Sequence, residues 1–325
     1  MRSCTAVLFL AALLVCAADA QAVVMNWSAV GNPGNANDPA TGNLYGGVGY
    51  NYNIGTYDVT ASQYAEFLNA KDPAGLDLLG LYQIYMSAFR LGGINFNSGN
   101  PNGTKYSVIA GHGNHPANAI SWYDAIRFAN WMNNGQGNGD TETGAYTLGT
   151  LGFATGIAIP VNPPLTHNAG ARIWLPTENE WYKAAYYNHG TNSYFQYPTS
   201  SNTAPTAAGF QTALPNNANY NNVLASPTDV GFYSGTTSPY GAFDMGGNAL
   251  QWNEAFINGY YRGQRGGSYF SNSSSLLSST RDYSNPDLGF DSEIGFRLAS
   301  VPEPSTGVLA VIAGGMLWWW RKRFK

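Results

Sequence analysis

The sequence predicts a single irregular, loop-rich α+β domain flanked by two terminal address segments. Three observations predict it. Helix-start signatures occur at three places. The stretches around them, 91–119, 133–170 and 188–222, are dominated by Gly, Asn, Pro, Ser and Thr. They are too long for a simple helical bundle or a doubly wound sheet. Short β-patterned segments fill the remainder. Composition agrees: the 325 residues are 44% hydrophobic, 14% aromatic and only 10% charged, with 39 Gly, 34 Asn and 22 Tyr. That is enough apolar surface to bury a core, with uncharged polar residues left for loops. No period of roughly 20–50 residues repeats, which excludes a solenoid or propeller.

Taken in chain order, residues 1–20 begin with Arg2, continue through a mostly apolar run from Thr5 to Ala18, and end on Ala18-Asp19-Ala20. A positive start, a short apolar centre and a small-x-small ending predict a secretory signal peptide cut after Ala20. Both cysteines, Cys4 and Cys16, fall inside it. The exported chain is therefore expected to have no disulfide, thiolate nucleophile or thiolate metal ligand.

Residues 21–300 are the expected domain. Val23 to Val59 should supply its first strands, with a strand over 48–57. Thr60 and Gln63 form a capping box before Tyr64, Phe67 and Leu68 on one helical face. Ser121 and Asp124 open a second helix through about Met132, ended by Asn133-Asn134-Gly135. Thr177 and Glu180 start a third; their capping geometry makes Glu178 and Glu180 structural acids. Further short strands are predicted over 145–148, 172–175, 264–270 and 294–299. Trp122, Trp131, Trp174, Trp181 and Trp252 read as core anchors.

Charge narrows the function classes. The net charge is −4, and residues 21–300 hold 10 Lys+Arg against 17 Asp+Glu, a net −7. This is no footprint for nucleic acid. Of the four histidines, His112, His115, His167 and His189, the first two are i,i+3 but lie in a Gly/Asn/Pro loop. No G-x-S-x-G, P-loop or H-E-x-x-H motif occurs. At the other end, Gly307 to Trp320 is an apolar run of 14 residues followed by Arg321, Lys322, Arg323 and Lys325. The run is short of the ~20 residues of a comfortable membrane span, and the basic end favours the cytoplasmic side.

Val301-Pro302-Glu303-Pro304-Ser305, followed by that apolar run and basic end, resembles the PEP-CTERM sorting signal. The resemblance implies transient insertion of residues 301–325 in the inner membrane of a Gram-negative-type bacterium. An exosortase-type sorting protease would then remove the tail and leave the protein at the cell surface or in the extracellular matrix. Proteins with this signal are linked to exopolysaccharide.

Five segments, in order, resemble the formylglycine-generating enzyme, or sulfatase-modifying factor, family. They are Tyr57–Leu68 (YDVTASQYAEFL), His115–Ala125 (HPANAISWYDA), Arg172–Trp181 (RIWLPTENEW), Tyr240–Trp252 (YGAFDMGGNALQW), and Arg265–Tyr269 (RGGSY) with Ile294–Arg297 (IGFR). The resemblance implies a fold related to the C-type lectin fold. Its enzymes oxidise a target cysteine with molecular oxygen, using copper(I) held by two cysteines shortly after G-G-S. Soft thiolates suit copper(I). Here the matching positions are Ser271 and Leu276, so no copper and no formylglycine generation are expected. Another branch of the family uses iron held by histidines on an additional helical domain, and no such array stands here.

The same resemblance nominates further residues. Ser268 matches a serine of the family pocket; Ser268, Ser271 and Trp252 are the pocket candidates. Calcium is the possible cofactor, with Asn248, the Ala249 carbonyl and Gln251 as one ligand set, and Asn219 with the Tyr220 carbonyl as another. Gln251 stands where the family has Glu, which costs the site a charge. Arg297 should anchor a buried ion pair or loop carbonyls, with Asp124 or Asp244 as candidate partners. The functional expectation is a non-catalytic surface protein that binds exopolysaccharide or another matrix component. The alternatives are an enzyme with a repurposed pocket around Ser268 and a purely structural matrix protein.

Overall fold

A computed structural model of the protein describes residues 22–302 apart from 89, 155–156, 161–165 and 290. The expected signal peptide with Ala20, and the sorting segment from Glu303 and Pro304 onward, lie outside the described residues. No helix among the described residues is long and apolar enough to cross a membrane.

All three helix starts form as the sequence dictates. Thr60 Oγ1 accepts the Gln63 amide while Gln63 Oε1 accepts that of Thr60, opening helix α1, Ala61–Lys71. Ser121 and Asp124 exchange the equivalent pair at the head of α2, Trp122–Asn133. Thr177 and Glu180 do so for α3, Glu178–Tyr186. Each box satisfies two amides that a helix start would otherwise leave without partners. Helix α2 stops at Asn134, where Gly135 turns to φ +84°.

Two small sheets hold the helices. The first runs Trp27–Val30, Tyr52–Gly55, Ala299–Ser300, Ile173–Trp174, all antiparallel, and so ties the two ends of the domain together. The second runs Asp282–Ser284, Tyr261–Arg265, Leu250–Ile257, Ile294–Gly295; its last pair is parallel and the others antiparallel.

Several strand expectations are corrected. The segment 294–299 is not one strand: Ile294–Gly295 belongs to the second sheet and Ala299–Ser300 to the first. The residues between, including fully buried Phe296, Arg297 and Leu298, carry the chain across the core. The strand expected over 264–270 is Tyr261–Arg265 and ends where Gly266 and Gly267 adopt φ +97° and +67°. Residues 145–148 form no strand, because Asn130 of α2 takes the Tyr146 amide and Glu142 takes that of Leu148. Conversely, Leu250–Ile257 is the longest strand among the described residues, although its sequence does not alternate. Gln251, Trp252, Asn253 and Glu254 are buried in succession.

The larger core joins α1 and α2 through a ring stack of Tyr64, Phe67, Phe128, Trp131 and Phe296. A second core packs Trp181, Tyr182 and Tyr186 of α3 against Val30, Tyr52 and Ile54 of the first sheet. The five tryptophans read as anchors are all buried. Each such ring removes roughly 150–250 Å² from water, which lets few residues secure long loops.

Candidate functional site

The residues matching the family's pocket gather on the turn after Tyr261–Arg265. A side-chain carbon at Gly267 would lie 2.9 Å from Leu276 Cδ1 and 3.2 Å from Ser271 Cβ. The two positions that would carry thiols therefore converge on Gly267. Ser268 is fully buried; its Oγ donates to Glu293 and accepts the Phe270 amide at 3.1 Å. Ser271 Oγ accepts the Ser268 amide at 2.9 Å and sits 3.2 Å from Ser268 Oγ. Burial pushes the Glu293 carboxyl up, Asp291 adds to it, and the Ser268 hydrogen bond opposes it.

Leu276 lies on a single turn, Ser273–Leu276, and packs among Tyr197, Ala218 and Tyr220. One hydroxyl and one isobutyl group offer no soft donor to copper(I). Ser268 and Ser271 are thus brought together. Trp252 instead stands in the main core, with its indole N–H donating to the Ile120 carbonyl at 2.8 Å.

The calcium candidates divide in the same way. Asn219 and Asn248 meet: Asn248 Oδ1 accepts from Asn219 Nδ2 at 3.2 Å and from the Thr228 amide at 2.8 Å. Asn248 adopts φ +64°, a conformation asparagine tolerates better than most residues. Asn219 Oδ1 is buried and accepts no hydrogen bond among the described residues. The Tyr220 carbonyl accepts the Val223 amide at 3.3 Å, and Ala249 is buried beside the strand start.

Gln251 faces elsewhere. Its Oε1 accepts Trp181 Nε1 at 2.7 Å and Arg297 Nε at 2.6 Å, and its Nε2 donates to the Asp244 carbonyl at 2.7 Å. These residues do not fit a calcium ion at Gln251. Calcium needs about 6–8 oxygen ligands, whereas this oxygen already faces a guanidinium. Among the described residues, no group of three or more His, Cys, Asp or Glu side chains could hold a metal. His112 and His115 stack at 4.4 Å, and His112 Nδ1 is engaged with the Gly92 carbonyl.

Arg297 is the centre of this region. Besides Gln251 it donates to the carbonyls of Gly55 and Phe243, both at 2.8 Å, and its Nη2 stands 3.2 Å from Asp58 Oδ1. Its acidic partner is therefore Asp58, neither of the two that the sequence suggested; Asp124 lies beside Arg127. Burial pushes Asp58 up to about 7, Asp244 adds to that, and Arg297 opposes it. Burial likewise raises Asp244 to about 6, against the Gly231 amide and Arg297. Sequence reasoning missed Asp58 because it stands between a tyrosine and a helix cap, in no recognisable acidic pattern.

The sulfatase-modifying factor enzyme 1-like domain matches residues 48–301. No curated protein matches the chain. Among solved structures, the crystal structure of CarF aligns with a TM-score of 0.51 at 23% identity, covering 86% of this chain and 99% of that one. Treponema denticola variable protein 1 aligns at 0.49 and 18%, covering 87% and 97%. PvdO from Pseudomonas aeruginosa aligns at 0.45 and 16%, covering 78% and 82%. The likeness to CarF is one of fold.

Proposed function

The chain belongs to the sulfatase-modifying factor enzyme 1-like domain family, and we propose that within it this protein is a non-catalytic member, an exported binding or matrix protein linked to exopolysaccharide. Its fold is the loop-rich α+β fold, related to C-type lectins, that the motifs imply. The observation that carries the reading is the pair Ser271 and Leu276. They converge on Gly267 where the family's enzymes need two thiolates, and Leu276 is sealed in an apolar cluster. Hydrogen bonds among Asn219, Asn248 and Thr228, and the contact of Gln251 Oε1 with Arg297, are in keeping with a binding role that does not depend on the family's calcium loops.

Export, and release of the tail by an exosortase-type protease, place the domain at the cell surface, with transient inner-membrane insertion of the tail as the anchoring step. The leader pattern from Arg2 to Ala20 and Val301–Ser305 with its apolar run and basic end support this route. An enzyme repurposed around Ser268 is the competing reading. The Ser268–Glu293 contact favours it, and the complete burial of Ser268 weighs against it. The test is metal content together with retention. The purified processed protein should carry neither copper nor iron and should be retained on the producer's exopolysaccharide. Stoichiometric copper or iron, or absence of retention, would overturn the proposal.

A further inference from the structure

We propose that Asn258, at the tip of the hairpin in the second sheet, is a site of spontaneous modification: it closes on the Gly259 amide to a succinimide and opens to isoaspartate. The inference stands apart from the surface-binding reading above. Asn-Gly occurs four times in the chain, at 102–103, 134–135, 138–139 and 258–259. A glycine after the asparagine offers this closure the least steric resistance, because it has no Cβ. All four asparagines are exposed, so access does not separate them. Their hydrogen bonds do.

The attacking atom is the backbone nitrogen of the glycine, and at three of the pairs its N–H is engaged. Gly103 donates to the Pro73 carbonyl at 2.8 Å, Gly135 to that of Met132 at 3.2 Å, and Gly139 to that of Gln136 at 2.8 Å. Asn134 is held a second time, because its Nδ2 donates to the carbonyls of Asp140 at 2.9 Å and Thr143 at 2.7 Å. At the fourth pair, neither the Gly259 amide nor the Asn258 side chain makes a hydrogen bond among the described residues.

The hairpin itself produces this difference. Leu250–Ile257 and Tyr261–Arg265 are joined by a tight turn in which the Tyr260 N–H donates to the Ile257 carbonyl at 3.1 Å. Asn258 and Gly259 take φ +51° and +76°, the two successive left-handed residues of the type I′ turn that Asn-Gly favours. The closing bond of that turn belongs to the residue after the pair, which leaves the Gly259 N–H to solvent. Closure must rotate Asn258 about its Cα–C bond, and this opens the tip. Only the 3.1 Å bond and the terminal Ile257–Tyr261 pair resist there, as at a fraying end. The Gly259 nitrogen gives its proton to solvent and bonds to Asn258 Cγ; the Cγ–Nδ2 bond breaks and ammonia leaves. Water then opens the ring. Addition at the main-chain carbonyl gives isoaspartate, and addition at Cγ gives aspartate. No oxidant or reductant takes part. Either product carries a carboxylate in place of the amide, and isoaspartate adds a backbone carbon that a type I′ turn does not contain. The charge appears beside Tyr260 and Tyr261, whose ring centroids lie 5.5 Å apart.

The test ages the purified protein in mildly alkaline buffer, folded and in parallel unfolded in urea. Peptide mapping by mass spectrometry, with isoaspartyl and aspartyl peptides separated, follows all four sites. In the folded protein, the peptide holding Asn258 should convert at least about fivefold faster than those holding Asn102, Asn134 and Asn138. That is the ratio for a hydrogen bond of about 1 kcal/mol that the other three must first break. In urea the four rates should converge. Asn258→Gly keeps a residue suited to positive φ and should abolish conversion at the hairpin with the fold retained. Equal rates at all four sites of the folded protein, or a lead for any of the other three, would overturn the assignment. A lead for Asn258 that persists undiminished in urea would overturn the role given to the turn. A more acidic form that still accumulates at the original rate in Asn258→Gly would overturn the site.

Discussion

Arg297 donates its Nε–H to Gln251 Oε1 at 2.6 Å, and the same oxygen takes the indole N–H of Trp181 at 2.7 Å. Gln251 belongs to the second sheet, Trp181 to α3, and the Gly55 carbonyl that Arg297 also engages to the first sheet. One guanidinium therefore joins both sheets, and one amide joins it to a helix. Arg297→Met should cost about 3–5 kcal/mol, because it leaves the Asp58 carboxyl buried without its partner. Urea unfolding reads this directly, and a loss below about 1 kcal/mol would show that the junction is incidental.

Two glycines with nearly the same backbone angle separate conformational from steric cost. Gly34 has φ +80° with nothing near its missing side chain, whereas a carbon at Gly247, φ +79°, would lie 2.3 Å from the Asn219 carbonyl oxygen. Gly34→Ala should cost only about 1–2 kcal/mol for the left-handed backbone. Gly247→Ala should cost a further ~1–3 kcal/mol through overpacking. Equal losses in denaturant melts would contradict the close approach.

The two positions that match the family's cysteines should respond unequally. Ser271→Ala removes one acceptor from the half-buried turn and should cost about 1 kcal/mol. Leu276→Ser puts a hydroxyl into the cluster of Tyr197, Ala218 and Tyr220 and should cost at least about 3 kcal/mol. The order of the two midpoints in chemical unfolding checks the assignment.

Stability should fall as pH rises from about 4 to 8. Burial holds Asp58 and Asp124 up at about 7 and Asp244 at about 6, above the roughly 3.9 of an unfolded aspartate. The native state thus binds protons more tightly. The stability these groups contribute is fully present below the unfolded value and is lost as pH rises through the folded ones. His167 acts in the same sense. Burial would lower its pKa, but the hydrogen bond and charge of Glu254, with Glu180, outweigh burial and raise it. Its contribution is present below the unfolded value and is lost as pH rises through the raised one. His115, lowered by burial and by His112, opposes the trend. Thermal midpoints across that range should decline, and Asp58→Asn should flatten the decline.

Tyrosine ionisation should be coupled to unfolding. Tyr52, Tyr64 and Tyr146 are fully buried, and burial holds each phenol well above its ordinary value. Native phenols keep their protons, so stability falls as pH rises above about 10, where unfolded tyrosines ionise. Tyrosinate absorbance should appear in one cooperative step with loss of near-ultraviolet dichroism. A gradual rise in the folded protein would contradict the burial of these rings.

Local chemistry was legible in the chain wherever neighbours in sequence are also neighbours in space. Thr60 with Gln63, Ser121 with Asp124, and Thr177 with Glu180 meet within one helical turn, so their spacing alone determined three helix starts. Strand Leu250–Ile257 was hidden because burial on both faces erases the alternation by which a strand is recognised. The 294–299 segment read as one strand because nothing local marks the point where a chain leaves one sheet for another.

By itself, the sequence determined the family, the loop-rich α+β class and the absence of thiols at Ser271 and Leu276, since residue identity and short spacing need no partner. Tertiary structure alone decided that Asp58 faces Arg297 and that Gln251 turns to the same guanidinium. The physical reason is separation along the chain. Asp58 and Arg297 lie at opposite ends of the domain, and only closure of the first sheet by Ala299–Ser300 brings a buried charge to its partner.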